Sequence, residues 1–474
     1  MKILVHVDLL TMLRHFDGVL VTLADRGHAV TIASPERGEV PPPDALRRHD
    51  RITFVPAPGR RGDRWAESVH ELRLLRDYLR YLEPRFKRAS KLRTRSLRKM
   101  LAVMTDEERT HLVAKCPNCH ERLVDEDVFR MVRGSRVGQV KLARLLALVE
   151  DTVPSDRAIE TFLQAHQPDV VVATPLIKFG SYQADVVKSA KALSIPVVFP
   201  VFSWDNLSNK GLIHVHPDHV LVWNEQQRCE AVEMHGVPAE RVIVTGAPRF
   251  DSFFAMTPKT SRDEFCNEHG FDPSNPIVTY LCSSEFVAGR EVDFVEQWLD
   301  EISKEPVLSS ANVLVRPHPR QHGQWKKFVP RRARTTVSLP QSIQSDRTLF
   351  DTLHHSAAAV GLNTSAELEA GIAGRPVMTI LAPEFAEGQQ GTLHFEYLLK
   401  ERGGFVEVAP DFDVHRQQLA RAVNGDYDAT AIRRFVEEFL RPHGIDKAVV
   451  PLMADTIEQL VASRPEIPVN AHSV

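Results

Sequence analysis

Residues 360–380, VGLNTSAELEAGIAGRPVMTI, predict the end of a strand, a tight loop, a short helix and a second strand. The apolar runs AAAV before the loop and VMTI after the helix are typical of buried parallel strands. Thr364 or Ser365 suits the N-cap of the helix. Because free backbone N–H groups and the helix dipole favour an anion at this point, Asn363, Thr364 and Ser365 are candidate phosphate-binding residues.

Glu369 lies about one turn into the predicted helix. Its carboxylate can accept two hydrogen bonds from the cis-diol of a ribose. Gly374 and Pro376 then end the helix, as these residue types commonly do. A βαβ unit with a capped helix and no ligand explains the same local features, so this stretch alone leaves both interpretations open.

Residues 312–323, NVLVRPHPRQHG, favour a ligand site. They predict a buried strand that is followed at its carboxyl end by Arg316 and His318. Ligands of open α/β sheets bind at the carboxyl ends of the strands, where both stretches place their polar residues. We therefore expect the two segments to bind a nucleoside diphosphate together.

The combined pattern resembles the C-terminal domain of GT-B glycosyltransferases. It is similar to three groups: CDP-glycerol glycerophosphotransferases, bacterial capsule sialyl- and Kdo-transferases, and non-hydrolysing UDP-N-acetylglucosamine 2-epimerases. His318 and Pro319 match the HP motif, Ser365 matches the Ser/Thr motif, and Glu369 begins the E-A-x-x-x-G-x-P-V pattern of the ribose-binding helix. The resemblance implies that these positions bind the diphosphate and ribose of a nucleotide-activated donor.

The length of 474 residues exceeds what one core usually holds, so two domains are expected. The predicted fold class is α/β, with two doubly wound Rossmann-like domains facing a cleft and a helical insertion in the first domain. We place an N-terminal acceptor domain at 1–255, with the insertion at about 68–150, and a linker at 256–276. The donor domain is placed at 277–474, and the resemblance implies that its last helices return to the N-terminal domain.

Composition narrows the class of protein. The net charge is −3, and 43% of the residues are hydrophobic, which is typical of an ordinary globular protein and excludes a generally basic nucleic-acid binder. The N-terminus reads as a strand without a signal peptide, and no apolar run approaches the 18 or so residues of a membrane span. We expect a cytoplasmic protein with reduced thiols.

Two residues near the first strand are candidate bases. The chain opens with the strand KILVHV, and His15 and Asp17 lie in or beside the loop that leads to the first helix. Either can accept the proton of an acceptor hydroxyl if it lies within hydrogen-bonding reach. A His at a strand end is more often a surface or capping residue, so that interpretation is favoured for each and the catalytic one remains open.

Polar and aromatic residues also follow two later strands of the first domain. Lys178 ends the loop TPLIK, and Trp204, Asp205 and Asn206 lie in the loop SWDNLSNK. We predict that Lys178, Trp204 and Asn206 recognise an acceptor or sugar and that Asp205 is a further candidate base. A well-hydrogen-bonded turn is the alternative.

Further donor contacts come from two other loops. The sequence VTGAPRFD is similar to a motif of the glycerophosphotransferase-like group, which implies that Gly246 or Arg249 contacts donor phosphate. Ser283 and Ser284 follow the strand IVTYL, in a loop where GT-B enzymes often contact the donor.

Three remaining segments have less specific patterns. Gln389 and Gln390 lie in a segment predicted to be a flexible loop over the cleft. Eight Lys or Arg side chains lie between Arg85 and Lys99 without an acidic residue. Such a block is typical of a solvated helix face or a mobile arm, and the alternative is a patch that binds anionic lipid or a polyanionic acceptor. Cys116 and Cys119 form a CxxCH pattern that favours a local thiol pair over a metal or haem site, because no second ligand pair is close.

These observations together predict a GT-B transferase. It moves a glycosyl or glycerophosphoryl group from a nucleotide-sugar or CDP-glycerol-like donor to a glycan or lipid-linked acceptor, in cell-envelope or surface glycan synthesis. No cofactor and no metal are expected, because no DxD-like motif is present. The alternatives are a UDP-sugar 2-epimerase and a non-catalytic nucleotide-sugar sensor.

Overall fold

The computed structural model describes residues 1–35, 41–107, 136–319, 323–339 and 346–462. The chain divides into two compact units. The first contains Met1–Asp77, Val140–Arg249 and Arg441–Val474, and the second contains Tyr78–Gln139 and Phe250–Leu440. Each unit is built around one parallel β-sheet.

The sheet of the first unit has seven strands in the order β3-β2-β1-β4-β5-β6-β7. Its strands are β1 (Lys2–Val7), β2 (Ala29–Ser34), β3 (Ile52–Pro56), β4 (Val170–Thr174), β5 (Val197–Pro200), β6 (His219–Val222) and β7 (Val242–Val244). The strand order reverses between β1 and β4, where Ile3 pairs with Val170 and Val7 with Thr174. Open α/β sheets bind ligands at the carboxyl ends of the strands at such a switch point.

The sheet of the second unit has six strands in the order β10-β9-β8-β11-β12-β13. Its strands are β8 (Ile277–Leu281), β9 (Asn312–Arg316), β10 (Thr335–Val337), β11 (Ala358–Gly361), β12 (Val377–Ile380) and β13 (Glu407–Ala409). Here the order reverses between β8 and β11, so the loops after these strands mark the candidate site of this unit.

Helices connect the strands and cover the sheets. In chain order they are α1 (Asp17–Asp25), α2 (Asp44–Arg47), α3 (Ala66–Arg80), α4 (Ser90–Leu101), α5 (Arg136–Thr152), α6 (Arg157–His166), α7 (Gln183–Ala192), α8 (Asn206–Asn209), α9 (Glu225–His235), α10 (Asp251–Phe254), α11 (Arg262–His269), α12 (Glu291–Ile302), α13 (Pro306–Ser309), α14 (Asp346–His355), α15 (Ala366–Ile372), α16 (Leu393–Leu398), α17 (Phe412–Val423), α18 (Ala429–Leu440) and α19 (Val449–Ala462). None of the helices in the described ranges is long and apolar enough to span a bilayer.

Both faces of the first sheet are buried. Leu4 of β1 packs in a core that includes residues of α6 and α7, whereas Ile3 and Val5 pack with α1 and α19. A strand that is covered on both faces has a continuous apolar sequence, as the opening strand does. The last helix packs closely on the first, because a Cβ at Gly18 would lie 3.1 Å from a methyl group of Val450.

The predicted fold class is confirmed: both sheets are parallel and doubly wound in a Rossmann-like order. The core of the second sheet is filled by aromatic residues, with the rings of Tyr280 and Trp298 centred 5.0 Å apart. Of the predicted insertion at about 68–150, the described parts form α3, α4 and α5. Cys116 and Cys119 lie outside the described residues, so their pairing stays a prediction.

Candidate functional site

Three neighbouring strands of the second sheet end at the same level. Leu281 at the end of β8 pairs on one side with Arg316 of β9 and on the other with Gly361 of β11. The loops that carry Ser283, Ser284 and residues 363–365 therefore leave the sheet side by side. The register brings these predicted donor-binding loops to one edge of the second unit.

Glu367, which the sequence analysis did not single out, organises the loop after β11. Oε1 of its fully buried carboxylate accepts the backbone N–H of Asn363 at 3.0 Å. Burial raises the pKa of Glu367 to about 7. A Cβ at Gly361 would overlap with Glu367 Oε1, so a larger residue at the end of β11 would displace this carboxylate.

Glu291 plays the same part in the loop after β8. Its Oε2 accepts the backbone N–H of Ser283 at 2.8 Å, and its Oε1 accepts the hydroxyl of Tyr280 at 3.3 Å. Burial raises the pKa of Glu291 well above its usual value. The N–H of Ser283 is thus used inside the protein, while the half-buried Ser284 accepts the N–H of Val287 through its carbonyl oxygen at 2.9 Å.

The start of α15 lies where the sequence predicted it. Ser365 occupies the N-cap position and is exposed, without a cap hydrogen bond from its side chain. Thr364 is buried beside it. The carboxylate of Glu367 holds the loop before the helix and does not accept a free N–H group of the helix's own first turn.

Asn363 holds a neighbouring loop. It has a φ of 97°, a left-handed conformation that asparagine tolerates better than most residues. Its Nδ2 donates to the carbonyl of Gly388 at 2.8 Å and to Thr392 Oγ1 at 3.2 Å. These bonds and the one to Glu367 direct the donors of Asn363 into the protein, which favours a supporting role over direct phosphate contact.

Arg316 and Glu369, predicted as phosphate and ribose ligands, lie within electrostatic reach of each other. The guanidinium of Arg316 is braced by α14, donating to Thr352 Oγ1 at 2.9 Å and to the carbonyl of Thr348 at 3.1 Å. Burial lowers the pKa of Arg316 to about 10, and Cys282 and the buried Glu369 act against that shift. His318, two residues beyond β9, is half-buried.

The segment predicted to be a flexible loop is packed. Gln389 is fully buried; its Oε1 accepts the N–H of Ala382 at 3.1 Å and its Nε2 donates to the carbonyl of Ile380 at 2.9 Å. A Cβ at Gly388 would lie 2.5 Å from the carbonyl oxygen of Val287. The burial of Gln389 disfavours its predicted contact with an acceptor, while the exposed Gln390 remains a candidate.

In the first unit, His15 lies within electrostatic reach of Arg249, another residue singled out from the sequence. His15 ends a 3₁₀ turn, and its ring lies 5.1 Å from that of Phe202. Burial, then the positive charges of Arg249 and Arg14, hold the pKa of His15 well below its usual value. The imidazole is therefore neutral near pH 7 and available to accept a proton.

Asp205 organises the turn after β5. Its carboxylate accepts the hydroxyl of Ser203 at 2.7 Å and the amide of Asn209 at 2.8 Å. Trp204 and Asn206 are buried on either side of it in sequence. The structure thus gives Asp205 a supporting task, and the predicted roles of all three residues in catalysis or recognition stay predictions.

The remaining predicted residues of the first unit lie at strand and helix ends. The ammonium of Lys178, after β4, pairs with the carboxylate of Asp8, after β1, across the switch point. Asp17 begins α1, and its Oδ1 accepts the N–H of Gly18 at 2.8 Å. Gly246 has a φ of 99° and donates its N–H to the carbonyl of Val222 at 3.4 Å.

No group of three or more His, Cys, Asp or Glu side chains that could hold a metal ion occurs in the described part of the chain. Glu291 and Glu367 were missed because sequence analysis looked for ligand-binding carboxylates only. Both lie in the first turn of the helix that follows their strand, and this recurrence is the signal that could have identified them.

No protein-family model matches the sequence, and the comparison with curated proteins finds no match. Solved structures share the fold. A glycosyltransferase from Rickettsia africae ESF-5 is 10% identical, with a TM-score of 0.53 over 98% of this chain and 99% of its own. A putative UDP-N-acetylglucosamine 2-epimerase from Listeria monocytogenes is 10% identical, with a TM-score of 0.52 over 98% and 97% of the two chains.

The UDP-GlcNAc 2-epimerase from Neisseria meningitidis, solved with UDP-GlcNAc bound, is 12% identical, with a TM-score of 0.50 over 97% of this chain and 100% of its own. At such low identity the likeness shows the fold alone. The chain therefore has the GT-B fold that is common to these glycosyltransferases and epimerases, in agreement with the resemblance inferred from the motifs.

Proposed function

We propose that this chain is a transferase that moves a glycosyl or glycerophosphoryl group from a nucleotide-activated donor to an acceptor hydroxyl, in cell-envelope or surface glycan synthesis. The observation that supports this most is the second sheet, where the ends of β8, β9 and β11 align at the switch point with Arg316 and Glu369 close together. Proteins of the same fold, named as a glycosyltransferase and as UDP-sugar epimerases, support a nucleotide-sugar substrate.

The donor roles follow from charge and position. Arg316 and His318 bind the diphosphate together with the start of α15 at Ser365, and Glu369 binds the ribose diol. As the bond to the donor breaks, negative charge grows on the leaving group, which is the nucleoside diphosphate of a sugar donor or the CMP of CDP-glycerol, and fixed cations stabilise it most at that moment. We propose that these cations and the start of α15 stabilise the leaving group without a metal ion or cofactor.

The proton of the acceptor hydroxyl needs a base. We assign this role to His15, whose ring is neutral at pH 7 and whose neighbour Arg249 can attract an anionic substrate group. Asp17 and Asp205 remain alternatives. Both carboxylates accept hydrogen bonds inside the first unit, which makes them weaker candidates.

A 2-epimerase is the second candidate, because two of the compared structures are named as such enzymes. Thermal-shift measurements with UDP-, CDP- and GDP-linked sugars and with CDP-glycerol first identify the donor. The bound donor is then incubated alone. Inversion at C2 of UDP-GlcNAc without an acceptor identifies an epimerase. Release of a nucleoside diphosphate from a sugar donor, or of CMP from CDP-glycerol, only with an acceptor identifies a transferase. Binding without turnover identifies a sensor, and no binding at all contradicts the proposal.

We also propose that a lipid-linked acceptor is reached at an anionic membrane surface. Five basic side chains of the segment are exposed: Arg85, Lys87, Arg88, Arg98 and Lys99. Each contributes on the order of 1 kcal/mol near anionic lipid, and the attraction is screened by salt. Flotation with phosphatidylglycerol vesicles should occur at low salt and fade at high salt; equal recovery with neutral vesicles would contradict it.

A further inference from the structure

The basic segment around α4 has two different faces. Besides its five exposed cations it carries Lys91 and Arg95, which are half-buried, and Arg93, which is buried. Arg93 donates to the carbonyl of Lys87 at 3.1 Å and to that of Phe86, so it holds its own segment. Lys91 and Arg95 are one helical turn apart and share a face.

That face contacts the loop after β8. The ammonium of Lys91 donates to the carbonyl of Phe286 and lies 4.7 Å from the centre of the Phe286 ring. The guanidinium of Arg95 lies 5.5 Å from the same centre. Cations over an aromatic face are attracted to it, more strongly where water is excluded. Phe286 lies two residues after Ser284, so α4 holds the loop that carries the two predicted donor ligands Ser283 and Ser284.

The first residue of α4 contacts the other loop at this edge. Ser90 Oγ donates to Glu387 Oε1 at 2.6 Å, and Glu387 precedes Gly388, whose carbonyl accepts the side chain of Asn363 after β11. Gly388 in turn packs against Val287. One helix from outside the sheet therefore connects the loops on both sides of the switch point of the second unit.

The positive charge of Lys91 interacts with carboxylates of both loops. Burial lowers the pKa of Lys91, and the carboxylates of Glu387 and Glu285 act in the opposite direction. Lys91 thus lies close to two carboxylates that belong to the two loops. Removing its charge would leave both of them unbalanced at the edge where the anionic donor is expected.

We propose that Lys91 and Arg95 are positioning residues of the donor site, which set the loop after β8 for the diphosphate of a nucleoside diphosphate. This inference rests on the proposed function. It assigns the inner face of α4 to donor binding and leaves only the exposed cations for a membrane or polyanion.

The test uses the full chain and the variants Lys91→Met, Arg95→Met and Lys91→Arg, with Lys99→Met as the matched control. Methionine keeps an unbranched apolar side chain of similar length and removes the charge, and Lys99 is an exposed cation on the same helix. Calorimetric affinities for UDP, CDP and GDP identify the base, and the matching monophosphate is then compared with the diphosphate. Melting temperatures report on folding.

We expect Lys91→Met and Arg95→Met to weaken diphosphate binding at least about fivefold and to reduce the preference for diphosphate over monophosphate, as loss of charged contacts near phosphate should. Lys91→Arg should retain most of the affinity, and Lys99→Met should stay within about twofold of wild type. A purely structural role would lower the melting temperature without changing that preference. If Lys91→Met does not fold, the diphosphate affinity of Arg95→Met tests the proposal.

Two results would overturn the inference, and they have different consequences for the proposed function. If the wild type binds a nucleoside diphosphate and both methionine variants behave like Lys99→Met, the assignment of α4 is wrong and the proposed function stands. If the wild type binds none of the three diphosphates, the proposed function fails, and this inference fails with it.

Discussion

The two units hold their strand-end loops with different chemical groups. In the first unit, Gln183 in the first turn of α7 accepts the N–H of Leu176 at 2.9 Å and donates to the carbonyl of Thr174 at 2.9 Å. Gln227 of α9 likewise accepts the N–H of Trp223 at 2.9 Å. Neutral amides therefore fasten the loops after β4 and β6.

In the second unit, carboxyl groups take these positions after β8 and β11. Glu291 and Glu367 accept backbone N–H groups, as the amide oxygens of the first unit do. Burial raises the pKa of both carboxyl groups, that of Glu367 to about 7, so Glu367 is partly protonated at neutral pH. Burying a titratable group costs folding free energy, and proteins often retain such destabilising groups near functional sites. The difference agrees with the proposed donor site at the second switch point.

The largest effect is expected from Gln183→Glu, which would give the first unit the chemistry of the second. The new carboxylate would face the carbonyls of Thr174 and His6, to which the amide now donates. Repulsion and a buried charge should lower the free energy of unfolding by about 3–5 kcal/mol in urea titrations at pH 7. Gln226→Glu is the control, because Gln226 is exposed in the same unit. A loss below about 1 kcal/mol would mean that the first unit also tolerates a carboxyl group there.

Glu369→Ala tests whether the second switch point binds a nucleotide. Loss of two hydrogen bonds to ribose should weaken nucleoside diphosphate binding by about 1.5–3 kcal/mol, whereas binding of inorganic diphosphate should stay the same. Glu369→Gln should fall between wild type and alanine. Glu401→Ala, at an exposed site of the same unit, serves as the control. Unchanged calorimetric affinity in Glu369→Ala would refute the ribose assignment.

Glu367→Gln would give the second unit the amide of the first. The folded-state pKa of Glu367 is raised from 4.5 to about 7, so its contribution to stability is complete below pH 4.5 and is lost as the pH rises through 7. Glutamine cannot titrate, so the variant should be more stable than wild type by about 1–3 kcal/mol at pH 8 and similar to it at pH 4.5. Urea unfolding at both pH values measures this. A variant that is less stable than wild type at pH 8 would contradict the proposed protonation.

Lys178→Met should have the smallest effect. Its ion pair with Asp8 crosses the first switch point, but the Lys178 side chain is 45% exposed. Exposed pairs contribute about 0–1 kcal/mol, so the free energy of unfolding should change by less than about 1 kcal/mol. Diphosphate affinity should not change if the second unit alone binds the donor phosphates. A large loss of affinity would assign Lys178 to donor binding.

The sheets were predictable because their strands are buried on both faces and appear as short apolar runs between turn signals. The buried side chains that support the strand-end loops could not be predicted. Glu367 and Glu369 are two residues apart on one helix, which usually places one inside and one outside, yet both are buried. The reason is that α15 is covered on another side too, where Gly371 packs against Phe405 and Val436. Sequence shows the period of a helix but not how many neighbours surround it.

The packing of α19 on α1 has a consequence for the order in which the chain can fold. Met453, Ala454 and Ile457 complete the same apolar core as Leu13 and Val19. During synthesis the seven strands of the first sheet leave the ribosome early, but the part of one face that α19 covers stays exposed until residues 250–440 have also been made. The second unit can close as soon as it emerges, whereas the first has to wait for the final helix, and in that interval its exposed face is open to chaperones and to aggregation.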